Sequence, residues 1–273
     1  MRSLHERNLH STQPVVAAGG PVVSLTSYGR RLASVFYTLE SIGAGQLLPS
    51  RLVLWVDASL LQHELPAALQ RLMRRGLEVR GTRDVGPHTK YFPQVMSEPH
   101  AQAPLVTADD DILYPTHWLE ELARAASWRP ELIHCFRAHV IRLDYQGQLA
   151  PYATWPRCHS TQPSHLHFAT GVAGVIYPPA MQAALRSEGD RFARCCPKAD
   201  DIWINVTALR RRIQVRQIVP LGARFYELPG TRTGALARDN VQGGGNDRQL
   251  AATYGSDDLK MLKTSDWLLV NSA

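Results

Sequence analysis

The sequence predicts an α/β fold, a mostly parallel sheet with helices on both faces, built as a single domain. Three observations carry this expectation. From Pro21 onward, short β-prone runs alternate with segments whose apolar residues recur at helical spacing. The run RLVLWVD (51–57) is nearly continuous in apolar residues, as a strand buried on both faces must be. No linker-like stretch divides the chain and no internal repeat is evident.

Taken in order, residues 1–20 are polar, then small and Gly-rich, and are expected to form a flexible leader. VVSLTSY (22–28) reads as a strand ending in turn-prone residues. LASVFYTLESI then places Val35, Phe36, Leu39 and Ile42 on one helical face. RLVLWVD follows as a buried strand, then a helix that Pro66 restarts and Gly76 stops, then the strand LEVRGT (77–82). Pro104 to Val106 is a short apolar run that meets Asp109-Asp110-Asp111. THWLEELARAASW reads as a helix with Thr116 as its cap, and ELIHCFRAHVIRLD (131–144) as one or two strands. Residues 145–168, rich in Pro, His, Ser and aromatics, predict a long loop. FATGVAGVIYPP is a Gly-broken apolar segment before the helix PAMQAALRSE. Ile202, Val206 and Leu209 share a helical face, and IQVRQIV (213–219) is a further strand. GGGNDRQLAATY predicts a flexible turn into a short helix, followed by an amphipathic segment around Leu259–Val270.

The 273 residues are 44% hydrophobic and 20% charged, which excludes disorder and fibrous repeats and supports a sizeable core. A net charge of +6, scattered rather than blocky, favours phosphate-bearing ligands or an anionic membrane surface without calling for nucleic acid. No run approaches the ~18 apolar residues that span a bilayer, and the N-terminus lacks the apolar core of a secretory signal. Cys135, Cys158, Cys195 and Cys196 show no CxxC spacing. The expectation is a cytoplasmic protein with reduced thiols, with room for peripheral contact at the inner face of a membrane.

The chemistry concentrates in two acidic clusters. Asp109, Asp110 and Asp111 follow a buried strand, where mutual repulsion argues against gathering carboxylates unless a cation joins them. Mg²⁺ and Mn²⁺ favour such oxygen ligands and share phosphate oxygens with a substrate. The plain alternative is a solvated acidic turn capping the next helix. Asp200 and Asp201 open a predicted helix, where one carboxylate serves as a cap and a second is left to act as a base. His159, His165 and His167 lack the partner spacing of a zinc site. Trp155 and Trp203 offer faces for a sugar or for the core, and GGGNDRQ offers a flap with Arg248 as a clamp, or an ordinary turn.

VSLTSYGRR, RLVLWVD, GPHTKYFP, TADDDILYP, GVAGVIYPP and KADDIW occur in an order that resembles glycosyltransferases of the GT-A fold, over roughly residues 21–210. The resemblance implies a GT-A-like, Rossmann-type single domain over 21–273, with a nucleotide-binding half at about 21–115 and an acceptor and catalytic half at about 116–273. It implies a nucleotide-sugar donor, UDP- or GDP-linked, a Mn²⁺ or Mg²⁺ cofactor, and a glycan or lipid-linked acceptor of the kind used in surface polysaccharide synthesis. By the same resemblance Asp111 ligates the metal, with Asp109 shared between metal and donor and Asp110 assisting. Thr26, Ser27 and Tyr28 hold the nucleoside, Arg30 or Arg31 lies near phosphate, Asp57 binds the base, and Lys90 faces the base or diphosphate. By the resemblance Asp201, with Asp200 beside it, supplies the general base of an inverting transfer; the glycines of GVAGVIYPP, Gly174 among them, either allow close backbone approach to the donor sugar or only mark a bent strand. A downstream QxxRW-type segment is missing, which argues against processive polymer synthesis. A nucleotidyltransferase would need a better phosphate loop than VSLTSYGRR, and a carbohydrate- or polyanion-binding module leaves the two acidic clusters without a shared task.

Overall fold

The computed structural model describes residues 1–230 and 244–271, of which 266–271 are described by their helical backbone only. Its first part runs α1 (Arg2–His10), β1 (Val22–Thr26), α2 (Val35–Gly43), β2 (Arg51–Asp57), α3 (Ala67–Met73), β3 (Leu77–Thr82), α4 (Phe92–Ser97) and β4 (Leu105–Thr107). The chain continues through β5 (Ile112–Leu113), α5 (Trp118–Trp128), β6 (Ile133–Cys135), β7 (Ala138–Val140), β8 (His167–Ala169), β9 (Val175–Tyr177) and α6 (Pro179–Glu188). It ends with α7 (Phe192–Cys195), α8 (Asp200–Arg210), β10 (Val215–Gln217), β11 (Tyr226–Glu227), α9 (Gly245–Thr253) and α10 (Ser256–Asn271).

Seven strands form one sheet in the order β10-β6-β9-β4-β1-β2-β3. All pairings are parallel except those of β9, which runs antiparallel to β4 and β6. β2 lies inside this sheet with Leu52 to Val56 no more than 5% exposed, which is why its sequence is apolar without alternation. Apolar side chains on one side gather Leu25, Leu39, Leu54 and Trp118, and on the other Tyr91, Phe168, Trp203 and Val206. The expected α/β architecture is therefore present. The run 131–144 is broken into β6 and β7 at Phe136-Arg137, because β7 leaves the main sheet to pair with β8. Thr116 is not the cap of α5; His117 occupies that position without a side-chain bond.

The flexible leader expected over 1–20 is corrected by α1, which packs on α2 and α3. The helix has no apolar stripe, so its docking is polar. Asn8 is buried and donates to Glu40 Oε1 at 3.0 Å and to the Ala68 carbonyl at 3.1 Å, while Arg71 Nε donates to Asn8 Oδ1 at 2.9 Å. Glu40 is itself fully buried and held by two bonds from Arg75 at 2.5 and 3.1 Å. A buried carboxylate that already has its counter-ion provides a socket whose remaining acceptor capacity Asn8 fills.

Candidate active site

β1 has β2 on one side and β4 on the other, so the crossovers diverge between β1 and β4, and a ligand crevice forms outside the carboxyl ends of strands at such a point. A cavity of about 1020 Å³ lies there. Thr26, at the end of β1, and Tyr28 and Arg31, which follow it, share its wall with Asp109, Asp110 and Asp111, which follow β4. Lys90, Gly171, Asp200 and Asp201 join them from three other segments. The two acidic clusters, 89 residues apart by number from Asp111 to Asp200, thus meet around one space.

Lys90 joins them. Its Nζ lies 3.0 Å from Asp109 Oδ1 and 3.1 Å from Asp200 Oδ2, and the side chain is almost wholly buried. The 3-10 turn Gly86–Lys90 that carries it is fixed to β1 by Ser24 Oγ, which donates to the Lys90 carbonyl at 2.7 Å. Burial opposes the ammonium charge, but Asp109, Asp200 and Asp201 together hold Lys90 well above its ordinary value. The site keeps a permanent cation at its centre.

The three adjacent aspartates differ in environment. Asp110 points away from free solvent: Ser27 Oγ donates to Oδ2 at 2.6 Å, Arg31 donates to Oδ1 at 2.7 Å, and Thr38 Oγ1 donates to its carbonyl at 3.0 Å. Burial raises its pKa, against the pull of Ser27 and Arg31. Asp111 lies 3.3 Å from Arg31 and is pushed up to about 6, by burial first and by the Asp109 charge next. The Asp109 N–H donates to the Tyr114 hydroxyl at 2.9 Å, which fixes the backbone of the triad. The antiparallel pair of β5 and β11 brings Glu227 to the same wall, and Leu228 N–H donates to the Asp111 carbonyl at 2.7 Å.

Asp201 heads α8 and accepts the Gly171 N–H at 3.2 and 3.3 Å. Its pKa is raised, by burial first and then by the Asp200 charge, with Lys90 and the Gly171 N–H pulling the other way. Gly171 lies close to Lys90 and Asp201. A Cβ there would sit 3.0 Å from Lys90 Nζ and 3.3 Å from Asp201 Oδ1, so only glycine leaves these groups undisturbed.

Several expected site residues lie elsewhere. Ser27 is buried behind Asp110, and Arg30 is not part of the cavity wall, whereas Arg31 is. Asp57 is exposed and caps the next 3-10 turn through Ser59 N at 2.9 Å, outside the cavity wall. Gly174, at φ +89°, makes its close approach to the Trp118 indole, where a Cβ would lie 2.6 Å away, and not to the cavity. Trp155 and Trp203 are buried in the core. His167 bonds the Val215 carbonyl and the Cys158 thiol, and all four cysteines are free. In the Gly-rich segment, Gly243 lies outside the described residues, and Asn246, not Arg248, lines the cavity. Sequence reasoning missed Gly171, Arg137, His139, Tyr152, Arg224 and Glu227, all on the wall. Only Gly171 stood inside a motif already singled out.

The donor set suits a hard divalent cation. Among the described residues no three His, Cys, Asp or Glu side chains form a self-sufficient cage. Mg²⁺-type ions instead take one or two carboxylates and complete their shell with water and substrate phosphate. Asp111 and Asp109 are the carboxylates on the cavity wall that could fill this role, while Asp110 is committed to Ser27 and Arg31.

Neither a protein-family profile nor a curated protein matches the sequence. Among solved structures, the chain is similar to the mannosyltransferase PcManGT from Pyrobaculum calidifontis, in complex with GDP-Man and Mn²⁺, at 16% identity and a TM-score of 0.53, covering 90% of this chain and 68% of that one. It also matches residues 1–349 of TarS from S. aureus at 14% identity and TM-score 0.48, covering 85% of this chain and 69% of that one. A CMP:2-keto-3-deoxy-manno-octonic acid synthetase complexed with CTP matches at 11% identity and TM-score 0.43, covering 81% and 98%. The chain shares its fold with the mannosyltransferase, as the ordered motifs implied.

Proposed function

We propose that the chain is a metal-dependent glycosyltransferase. It moves a sugar from a UDP- or GDP-linked donor to a hydroxyl of a glycan or lipid-linked acceptor, with inversion. One observation carries this reading: the carboxylates at the end of β4 and those at the start of α8 face one cavity and share Lys90. A capping role for either cluster would not require them to meet. The similar mannosyltransferase is described with GDP-Man and Mn²⁺, which favours a nucleotide-sugar and a divalent ion here too.

When bound, Mn²⁺ or Mg²⁺ held by Asp111 and Asp109 would neutralise charge on the diphosphate that departs. Lys90 adds a fixed ammonium at the same place, and because its side chain is almost wholly buried its field there is stronger than in solution. Arg31 holds Asp110 and Asp111 in place, while Thr26 and Tyr28 stand at the nucleoside end. Asp201 accepts the proton of the acceptor hydroxyl as its oxygen attacks the anomeric carbon from the face opposite the diphosphate. Its raised pKa gives a base stronger than an ordinary carboxylate, and the Gly171 N–H sets its orientation. A cytoplasmic location at the inner face of a membrane suits a lipid-linked acceptor; no helix of the described residues is long and apolar enough to cross one.

The test is a panel of UDP- and GDP-sugars incubated with candidate glycan acceptors, with Mn²⁺ or with chelator, and assayed for released nucleoside diphosphate. Release that requires metal and one donor, followed by product anomer analysis, supports the reading. Pyrophosphate release from a nucleoside triphosphate and a sugar phosphate would identify a nucleotidyltransferase instead.

A further inference from the structure

The transfer reading leaves one cationic cluster unused. Arg137, Arg157 and Arg224 come from three distant segments, yet all three line a second hollow of about 270 Å³. That hollow shares Arg137, Val172, Arg224 and Glu227 with the large cavity. The segments are bound together by backbone bonds: Cys158 N–H to the Ala138 carbonyl at 2.9 Å, Ala223 N–H to the Phe136 carbonyl at 2.9 Å, and an antiparallel bridge between His139 and Arg157. Gln217, fully buried, accepts from Ala138 N–H at 2.8 Å and donates to the Cys158 carbonyl at 2.9 Å. The arginines therefore stand on a fixed base.

Their guanidinium groups make no ion pair and no side-chain hydrogen bond among the described residues. Other basic side chains of this protein that sit as deeply as Arg137, such as Arg31 and Arg75, are held by carboxylates. Three converging guanidiniums with no carboxylate partner among the described residues are a recognition surface for an oxyanion, since each offers forked donors that match phosphate or carboxylate geometry. Arg137 also lies within electrostatic reach of Asp201, the group assigned to the acceptor hydroxyl.

We propose that Arg137, Arg157 and Arg224 form an oxyanion subsite for the acceptor, so that the acceptor is a phosphate- or carboxylate-bearing glycan whose charged group lies in the smaller hollow while its hydroxyl meets Asp201. This rests on the glycosyltransferase reading for the word acceptor, and on the arginines alone for the anion. Burial, then repulsion from Arg157 and Arg224, pulls the Arg137 guanidinium below its ordinary value, and a bound anion relieves that repulsion.

The experiment is calorimetric titration of the full chain, without added metal and at low salt, with glucose, glucose 6-phosphate and glucuronic acid. At least one of the two anions should bind 10-fold or more tightly than glucose and weaken as salt is added; the tighter of the two names the class. The triple variant R137Q/R157Q/R224Q should lose this preference, and R157Q, whose side chain lines only the smaller hollow, should weaken it while UDP or GDP with Mn²⁺ binds within threefold of wild type. The R157Q/R224Q pair changes only exposed side chains and serves if the triple variant does not fold. Equal binding of glucose and both anions, preference retained in the variants, or one-for-one displacement of the anion by nucleoside diphosphate would each overturn the subsite. Anion binding without nucleotide release on any acceptor would sink the transfer reading and leave the subsite standing. Equal transfer to neutral and anionic acceptors would do the reverse.

Discussion

In the proposed transfer, Asp201 and Lys90 divide the work of the cavity at the level of single side chains. Asp201→Asn keeps the shape and the Gly171 contact but cannot take a proton, so turnover should fall by about 10²–10⁴ while donor affinity stays within threefold. Single-turnover rates alongside donor titration check this, and unchanged turnover removes Asp201 from the mechanism. Lys90→Met differs in kind, because it leaves Asp109, Asp200 and Asp201 facing one another without their cation. Removing one partner of a buried pair costs about 3–5 kcal/mol, so the variant should lose stability to urea as well as donor binding. A variant with wild-type urea midpoint would show that the Lys90 contacts carry little weight. The two acidic clusters were legible in the sequence because three carboxylates gathered after the apolar run 104–106 need a reason, and because a helix start needs only one of Asp200 and Asp201 as its cap. Arg137, Arg157 and Arg224 were not, since nothing along the chain signals that the β6–β7 turn, a loop and the segment after β10 converge. Gly174 was misassigned in the same way. Spacing marks a glycine as a place of close approach, but only packing tells whether the neighbour is a ligand or Trp118.

Among the elements, the 3-10 turn Gly86–Lys90 decides whether Lys90 reaches the site, and His88 decides whether that turn holds. His88 is fully buried and stacks on Phe192 with ring centroids 3.8 Å apart. One ring nitrogen lies 2.8 Å from the Cys196 carbonyl and the other 3.0 Å from the Tyr91 hydroxyl. The carbonyl can only accept, so Nε2 carries the proton and Nδ1 accepts from Tyr91, which is the neutral ring. Burial accordingly lowers its pKa to about 4. Below the ordinary histidine value near ~6.5, the unfolded chain binds a proton that the folded chain refuses until about 4. Stability is thus complete above that range and falls as pH drops through it, by roughly 2 kcal/mol at pH 5 from this group alone. His88→Gln keeps a donor for Cys196 and removes the titration, so its Tm should fall less between pH 7.5 and 5 than that of wild type. Equal slopes would show that His88 is not the acid-sensitive point. The helix α1 shows why other elements escaped sequence analysis: it is held by Asn8 and a buried Glu40–Arg75 pair, and a polar helix without an apolar face gives no periodic signal.

Across the whole molecule, the two halves read from the sequence share one sheet, with β9 of the later half inserted between β4 and β6. They also share the cavity, whose floor is bridged from Asp109 to Asp200 by Lys90. A donor lying across this crevice with its metal would touch residues from both halves at once, so its binding energy should stabilise the entire chain and not one part of it. A ligand that binds only the folded state adds about 2.7 kcal/mol at 100 times its Kd. For a chain of this size each kcal/mol moves Tm by about 2–4 °C. The fitting UDP or GDP with Mn²⁺ should therefore raise Tm by roughly 5–10 °C in a single unfolding transition. On the proposed assignment Mn²⁺ alone is held through Asp109 and Asp111 without a phosphate and should do far less, as should the nucleotide in chelator. Asp111→Ala should abolish the combined shift, whereas Asp57→Ala, outside the cavity wall, should preserve it. Stabilisation that is indifferent to metal would remove Asp111 from donor binding. Two resolved transitions, with one moved by the ligand, would mean that the acidic clusters meet without being energetically coupled, and the shared cavity would then lose its standing as a single site.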